Sequence, residues 1–206
     1  MSVQYTSAAE AIRLIAPGHR VFVHGSAATP LLLLNELANQ APRLSNVELI
    51  AVSTLGQLDI TKPEFKDKFY FNSLFVSDNI RKNINGENGE YIPIFLSEIS
   101  RLFEQGILPL DVAMLHVSPP DQHGYCSLGT SVDVAKSAIK QAKKIIAQVN
   151  PNMPRTHGDG FVHVSKIDAL VPCNDALPQV RYADKISEAE GIIGKLIANL
   201  VEDRST

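Results

Sequence analysis

The stretch RVFVHGSAATPLLLL, residues 20–34, decides the fold. RVFVHG (20–25) reads as a buried strand that stops at Gly25, four small or hydroxyl residues follow, and Pro30 opens an apolar helix to about Gln40. This junction presents backbone N–H groups at a helix start, where the helix dipole favours an anion. Small side chains at Gly25, Ser26, Ala27 and Ala28 let a ligand approach the backbone. Thr29 is placed to cap the helix, and Pro30 suits its first position. Tight packing of helix on strand explains the same residues equally well, because neither a Walker lysine nor a G-x-G-x-x-G pattern accompanies the loop.

Outward from this junction the same alternation continues. Upstream, Ser7-x-x-Glu10 is a capping box, continued by Ala8, Ala11, Ile12 and Ile15 as an amphipathic helix that Pro17-Gly18 ends. Downstream, VELIAV (47–52) and FYFNSLF (69–75) read as strands, 76–84 as a short helix closed by the turn Gly86–Gly89, and EYIPIFL (90–96) as extended chain. A helix is expected from Ser97 to about Gln105, and LDVAMLHV (110–117) is a continuous apolar run typical of a strand covered on both faces. A helix at about 131–143 separates it from IIAQV (145–149), and DALVPC (168–173) is one more strand of that type. A second capping box, Ser187-x-x-Glu190, starts a helix to about residue 203. The pattern predicts an α/β fold: a mostly parallel open sheet with helices on both faces, residues 1–206 forming one domain. In such sheets ligands bind at the carboxyl ends of the strands. That places the loops 25–30, 118–130 and 150–163 on the functional edge.

Composition sets the outer limits. With 206 residues, 45% hydrophobic and 20% charged, and a net charge of −3, the chain has no basic footprint for nucleic acid. Lys136–Lys144 reads as a solvated helix face. No signal sequence and no membrane span is apparent, and two cysteines, Cys126 and Cys173, make no disulfide framework, so a cytoplasmic setting is expected.

The second loop, within HVSPPDQHGYCSLGTSVD (116–133), is rich in chemistry. Asp121 and His123 are spaced to hydrogen-bond each other, and a long ordered loop at a strand's carboxyl end is a functional candidate. Cys126 reads as a small buried residue rather than as a partner of His123. In the third loop, His157, Asp159 and His163 match no standard metal spacing and read as loop-fixing groups. Arg155 suits an anion or an acidic neighbour equally. G-x-S-x-G is absent around Ser26, which argues against a nucleophile-elbow hydrolase.

Four segments taken together resemble the acetyl-CoA hydrolase/transferase family (family I CoA-transferases), and within it the first half of the enzymes acting on 4-hydroxybutyrate. They are GSAATP (25–30), YIPIFLSEI (91–99), LDVAMLHVSPPDQHGYCSLGTSVD (110–133) and IIAQVNPNMPRTHGDGFVHVSKIDALV (145–171). Gly160 and Lys166 depart from the Ser and Glu of that pattern. The resemblance implies two similar α/β halves, of which this chain looks like the first. It also implies transfer of CoA between an acyl-CoA such as acetyl-CoA and a short-chain carboxylate, through a glutamyl-CoA thioester on the second half. On that footing the substrate- or CoA-facing candidates are Gly25, Ser26, Ala27, Ala28, Pro30, Asn79, Asp121, His123, Gly124 and Arg155. Asn79 suits either an oxyanion donor or a helix cap. No catalytic residue and no metal ligand is assigned in this chain, and coenzyme A enters as substrate, not as a resident cofactor. The expected partners are the acyl-CoA, the carboxylate, the second half (from the same gene or a neighbouring subunit) and further copies in a homo-oligomer. Nucleic acid and membrane are not expected.

An acyl-CoA hydrolase of the same family and a stand-alone acyl- or CoA-binding subunit are the alternatives. A sugar-phosphate isomerase of similar build lacks basic ligands here beyond Arg155. On the last helix Ile192, Ile193, Leu196, Ile197, Leu200 and Val201 form an apolar stripe, read in the first instance as packing on its own sheet and, if exposed, as a self-association surface.

Overall fold

The computed structural model describes residues 3–86, 88–180 and 186–205. Seven strands, β1 (Arg20–Val23), β2 (Val47–Ala51), β3 (Phe69–Ser73), β4 (Gly89–Tyr91), β5 (Val112–Val117), β7 (Lys144–Val149) and β9 (Ala169–Pro172), form one parallel sheet in the order β4-β3-β2-β1-β5-β7-β9. A separate antiparallel pair, β6 (Tyr125–Ser127) and β8 (Phe161–His163), lies outside it. The helices are α1 (Ala8–Ile12), α2 (Leu31–Asn39), α3 (Arg81–Ile84), α4 (Leu96–Glu104), α5 (Ala135–Gln141) and α6 (Glu188–Ala198).

The two-residue period of the strands sorts their side chains between two cores. Val21 and Val23 of β1 join Ala11 and Ile12 of α1 and Leu33, Leu34 and Leu37 of α2 on one face. Phe22 points the other way, into a core with Ile99 and Phe103 of α4 and Ala135 and Ala138 of α5. Its ring meets that of Phe103 edge to face at 5.9 Å. All six residues of β5 are buried, as its unbroken apolar run requires when helices cover both faces.

Several boundaries moved for local reasons. α3 is a single turn: Ser77 and Asn79, inside the expected helix, spend their side chains on the neighbouring loop instead of continuing the helix. α5 starts late because the Asp133 carboxylate takes the backbone N–H groups of Val134 and Ala135. Thr29 does not cap α2. Pro30 occupies the cap position with no side-chain hydrogen bond, and the Thr29 hydroxyl donates to the Ser26 carbonyl at 2.7 Å instead. In the turn expected at Gly86–Gly89, Glu87 lies outside the described residues.

Both capping boxes form. Their helices end differently: α1 is buried at Ala11 and Ile12, whereas α6 buries none of its residues. Ile193 is 53% exposed and Leu200 83%, so the reading of the stripe as packed on its own sheet is corrected. No helix among the described residues is long and apolar enough to cross a membrane.

Candidate functional site

From β1 the chain builds outward through β2, β3 and β4, and from β5 it builds the other way through β7 and β9. The order therefore reverses between β1 and β5, which pair in parallel from Val21↔Val112 to Val23↔Met114. A crevice beyond the carboxyl ends of these two strands is where open α/β sheets take ligands. The loop after β1 (25–30), the loop after β5 (118–130) and the loop after β7 (150–163) all leave from this edge.

The first loop is held by the chain that follows β2. The Ser26 N–H donates to the Ser53 carbonyl at 2.9 Å, the two seryl hydroxyls meet at 3.1 Å, and the Leu55 N–H donates to the Thr29 hydroxyl. A Cβ on Gly25 would stand 2.9 Å from the Ser53 carbonyl oxygen, so only glycine allows this approach. Ser26 sits in the left-handed region at φ 52°, a strained conformation for a residue with a side chain. Gly25, Ala28 and Pro30 are buried, and only Ser26 and Ala27 of the loop's candidates reach the surface.

The polar seam continues across the sheet. The Thr54 hydroxyl donates to Asn79 Oδ1 at 3.0 Å, Ser77 donates to the same oxygen at 2.8 Å, and Asn79 Nδ2 donates to the Gly56 carbonyl. Asn79 is thus a tie between loops and not the cap of α3, whose cap position is Ile80.

Beneath the edge lies a pair of histidines that the sequence reading passed over. His24 and His116 are both buried. The His116 backbone N–H donates to His24 Nδ1, so His24 carries its proton on Nε2 and donates it to the Ser131 carbonyl. Asn150 Nδ2 donates to His116 Nε2 at 3.0 Å and to the Asp175 carbonyl at 2.8 Å. Burial pushes both imidazoles down from their ordinary pKa, His116 to about 4, with its neighbour His24 adding to the effect. Two neutral rings thereby connect the ends of β1, β5 and β7 with the chain after β9. Their signal in the sequence was slight: single polar residues at the last positions of apolar runs.

The second and third loops are bound to each other by β6 and β8, an antiparallel pairing the sequence did not announce. Asp121 does not pair with the His123 ring. Its Oδ1 accepts from the backbone N–H groups of His123 and Tyr125, both at 2.9 Å, and its Oδ2 meets Arg155 at 2.6 Å. These bonds and the guanidinium hold the Asp121 carboxyl below its ordinary pKa. Arg155 also donates to the Tyr125 carbonyl and lies 4.7 Å over the Phe161 ring. Of its two readings, the acidic neighbour is the one observed. Cys126 is fully buried, and burial pushes its thiol up to about 11.

Asp121, His123 and Gly124 line a cleft of about 910 Å³ together with Tyr5, Glu10 and His163. Neither Asn79 nor any residue of 25–30 lines that cleft, so the ten candidates fall into two groups. Of the loose trio, Asp159 pairs with Lys136, His163 with the Ser165 hydroxyl and the His123 carbonyl, and His157 lies against Phe161. Among the described residues no group of three His, Cys, Asp or Glu is placed to hold a metal.

Comparison with known proteins fits this geometry. The chain is 41% identical to the succinyl-CoA:acetate/propanoyl-CoA:succinate CoA transferase of Fasciola hepatica, over 96% of the chain and 41% of that protein. It is 37% identical to the 4-hydroxybutyrate coenzyme A transferase of Clostridium kluyveri, over 97% of the chain and 46% of that protein. The solved structure of RipA from Yersinia pestis superposes with a TM-score of 0.86 at 30% identity, covering 97% of this chain and 49% of that one. The chain thus spans about half the length of the relatives it matches. Residues 2–183 match the acetyl-CoA hydrolase/transferase N-terminal domain, and the chain belongs to that family.

Proposed function

We propose that this chain is the first half of a CoA-transferase that moves CoA from an acyl-CoA such as acetyl-CoA to a short-chain carboxylate such as 4-hydroxybutyrate. The chain by itself is inactive. Coenzyme A is a substrate, the setting is cytoplasmic, in keeping with two unpaired thiols, and the assembly is a homo-oligomer. A glutamate of the second half attacks the thioester carbonyl and expels CoA thiolate, leaving a mixed anhydride. The thiolate then attacks the glutamyl carbonyl and releases the first carboxylate. The incoming carboxylate reverses the two steps. Each addition passes through an oxyanion that needs preorganised donors.

The observation that carries this reading is the make-up of the carboxyl edge. The segments after the strands (25–30, 52–58, 74–80, 92–95, 118–130, 150–160 and 173–180) contain no glutamate, yet they supply ordered backbone and amide groups. Among the glutamates elsewhere, Glu10 and Glu190 cap helices and Glu48 pairs with Arg20. The edge supplies a wall and donors, and the nucleophile comes from the other half.

The test is acyl-CoA:carboxylate CoA exchange, with acetyl-CoA as donor and 4-hydroxybutyrate and butyrate as acceptors. It is run on the chain alone and on a chimera in which the chain replaces the 200 aligned residues of the Clostridium kluyveri relative. Exchange by the chimera only is expected. Turnover by the chain alone places the nucleophile within it and overturns the reading, and hydrolysis without exchange in the chimera makes it an acyl-CoA hydrolase.

A further inference from the structure

The helix α6 has no seat in the unit it follows. None of its residues is buried, and Ile192, Ile193, Leu196, Ile197 and Leu200 are each more than half exposed. At 100° per residue the four isoleucine and leucine residues from Ile192 to Ile197 fall on one side of the helix, with Lys195 off it, and Leu200 lies just past its end. A Cβ added at Gly191 or Gly194 would meet nothing within 4 Å. The match to the N-terminal domain stops at residue 183, before α6 begins, whereas the matches to the relatives continue across 96–97% of the chain. The relatives therefore contain a counterpart of α6 that is not part of the N-terminal domain.

What α6 does resemble is α1. Ser7-Ala8-Ala9-Glu10-Ala11-Ile12 and Ser187-Glu188-Ala189-Glu190-Gly191-Ile192 share Ser, Ala, Glu and Ile at the same four positions, and both form a complete reciprocal capping box. In α1 this opening leads into Ala11, Ile12 and Ile15, all buried, where the helix packs against α2 and the edge strand β9. The likeness has a limit. Lys195 stands where Ile15 is buried, and α6 runs on where α1 has ended, so its apolar face turns onto Ile193, Leu196 and Ile197.

We propose that α6 is the opening helix of a second α/β unit of the same build. It docks between that unit's edge strand and first long helix, as α1 docks between β9 and α2 here. The inference rests on the reading of this chain as half of a CoA-transferase. It adds the surface by which the second half takes hold: a helix that is covalently part of the first segment and structurally part of the next.

The experiment compares one substitution in two settings. Ile193→Glu with Leu196→Glu is introduced into the 206-residue chain and into the chimera, with Lys195→Glu as the control off the stripe. Hydrogen exchange over 188–201 and thermal midpoints are read at a dilution where the chain alone is monomeric by light scattering. The expected result is α6 exchanging freely in the chain alone and about 100-fold or more slower in the chimera. The double variant lowers the chimera's midpoint by about 5 °C or more and leaves that of the chain alone in place. A lowered midpoint in the chain alone puts α6 on its own sheet and overturns the proposal. So does an α6 that exchanges freely in the chimera, or one whose protection there is lost on dilution to a monomer, which makes a second copy the occupant. Protection of α6 in a chimera without CoA exchange keeps the seat and removes the functional reading.

Discussion

Replacing His116 by Gln should flatten the dependence of stability on pH on the acid side of neutrality. The native protein buries this imidazole between Asn150 and the end of β1, and burial holds its pKa at about 4. In the unfolded chain the same ring titrates near 6.5. Above that pH neither state takes a proton and the group contributes nothing to the pH dependence. Below it the unfolded chain binds a proton that the folded chain refuses, so stability falls as pH falls, until the folded ring titrates near 4. Each pH unit inside the window costs about 1.4 kcal/mol, so moving from neutrality to about pH 4.5 removes roughly 3 kcal/mol. That is a large share of the ~5–15 kcal/mol that holds a typical domain together. Gln keeps an acceptor for Asn150 Nδ2 and removes the titration. His24, whose pKa is lowered for the same reason, and the carboxylates with depressed pKa values are present in both proteins and largely cancel in the comparison. The assay is urea unfolding of both proteins in buffers from about pH 7.5 to about pH 4.5. The variant is expected to lose roughly 3 kcal/mol less than the parent over this range. Parallel curves would show that His116 is not held neutral by burial, and the argument would fail.

Three further outcomes are expected. Gly129→Ala places a Cβ 2.1 Å from Met153 Sδ on a residue at φ 66°, and should cost about 2 kcal/mol, seen as a thermal midpoint lower by roughly 4–8 °C; an unchanged midpoint would mean that the second and third loops do not approach so closely. Cys126 is buried with its thiol pushed up to about 11, whereas Cys173 is half-buried, so Ellman's reagent should titrate one thiol in the native chain and the second only after unfolding; two thiols reacting together would contradict the placement of Cys126. The chain alone should self-associate through the exposed stripe of α6, and light scattering on the Ile193→Glu, Leu196→Glu variant should return a monomer; association unaffected by the variant would locate it elsewhere.

The parallel sheet was legible because its signals are local: apolar runs of strand length alternate with helices, and α1, α2 and α6 start at a capping box or a proline. Ser7-x-x-Glu10 and Ser187-x-x-Glu190 each produced the helix their spacing required. The pairing of Tyr125–Ser127 with Phe161–His163 was not legible, because those three-residue strands meet across 33 or more intervening residues and neither carries an alternating pattern long enough to stand out. The histidines escaped for a different reason. In HVSPP and VFVHG each His reads as the end of a strand, and only the register of β1 beside β5 brings the His116 N–H to His24 Nδ1. Asn79, Asp121 and Arg155 read as polar groups on loops that follow strands, and they lie on loops after β3, β5 and β7. Their side chains are spent on carbonyls, hydroxyls, backbone N–H groups and each other, which composition cannot foretell.

The hydrogen-bond state of the first loop also limits what this half contributes to the proposed reaction. The N–H groups of Ser26, Ala28 and Thr29 are committed to Ser53, Gly25 and Ser26. The Ala27 N–H, at the surface, has no such partner among the described residues, and Asn79 Nδ2 keeps one hydrogen beyond its bond to Gly56. Donors fixed in advance at a strained turn need no reorganisation when an oxyanion forms. They act at full strength only when water is excluded, and the exposed edge of this half alone does not exclude it. Under the proposed function the second half then has two duties: to bring the glutamate and to close the edge over the thioester it forms. Loosening the contact between halves should therefore do more than slow the enzyme. In the chimera, Ile193→Glu with Leu196→Glu should raise acyl-CoA hydrolysis relative to CoA transfer, because water reaches the glutamyl thioester before the carboxylate does. Both rates are read from one reaction, as free CoA released and as new acyl-CoA formed. If they fall together at a constant ratio, closure between the halves is not what keeps water out.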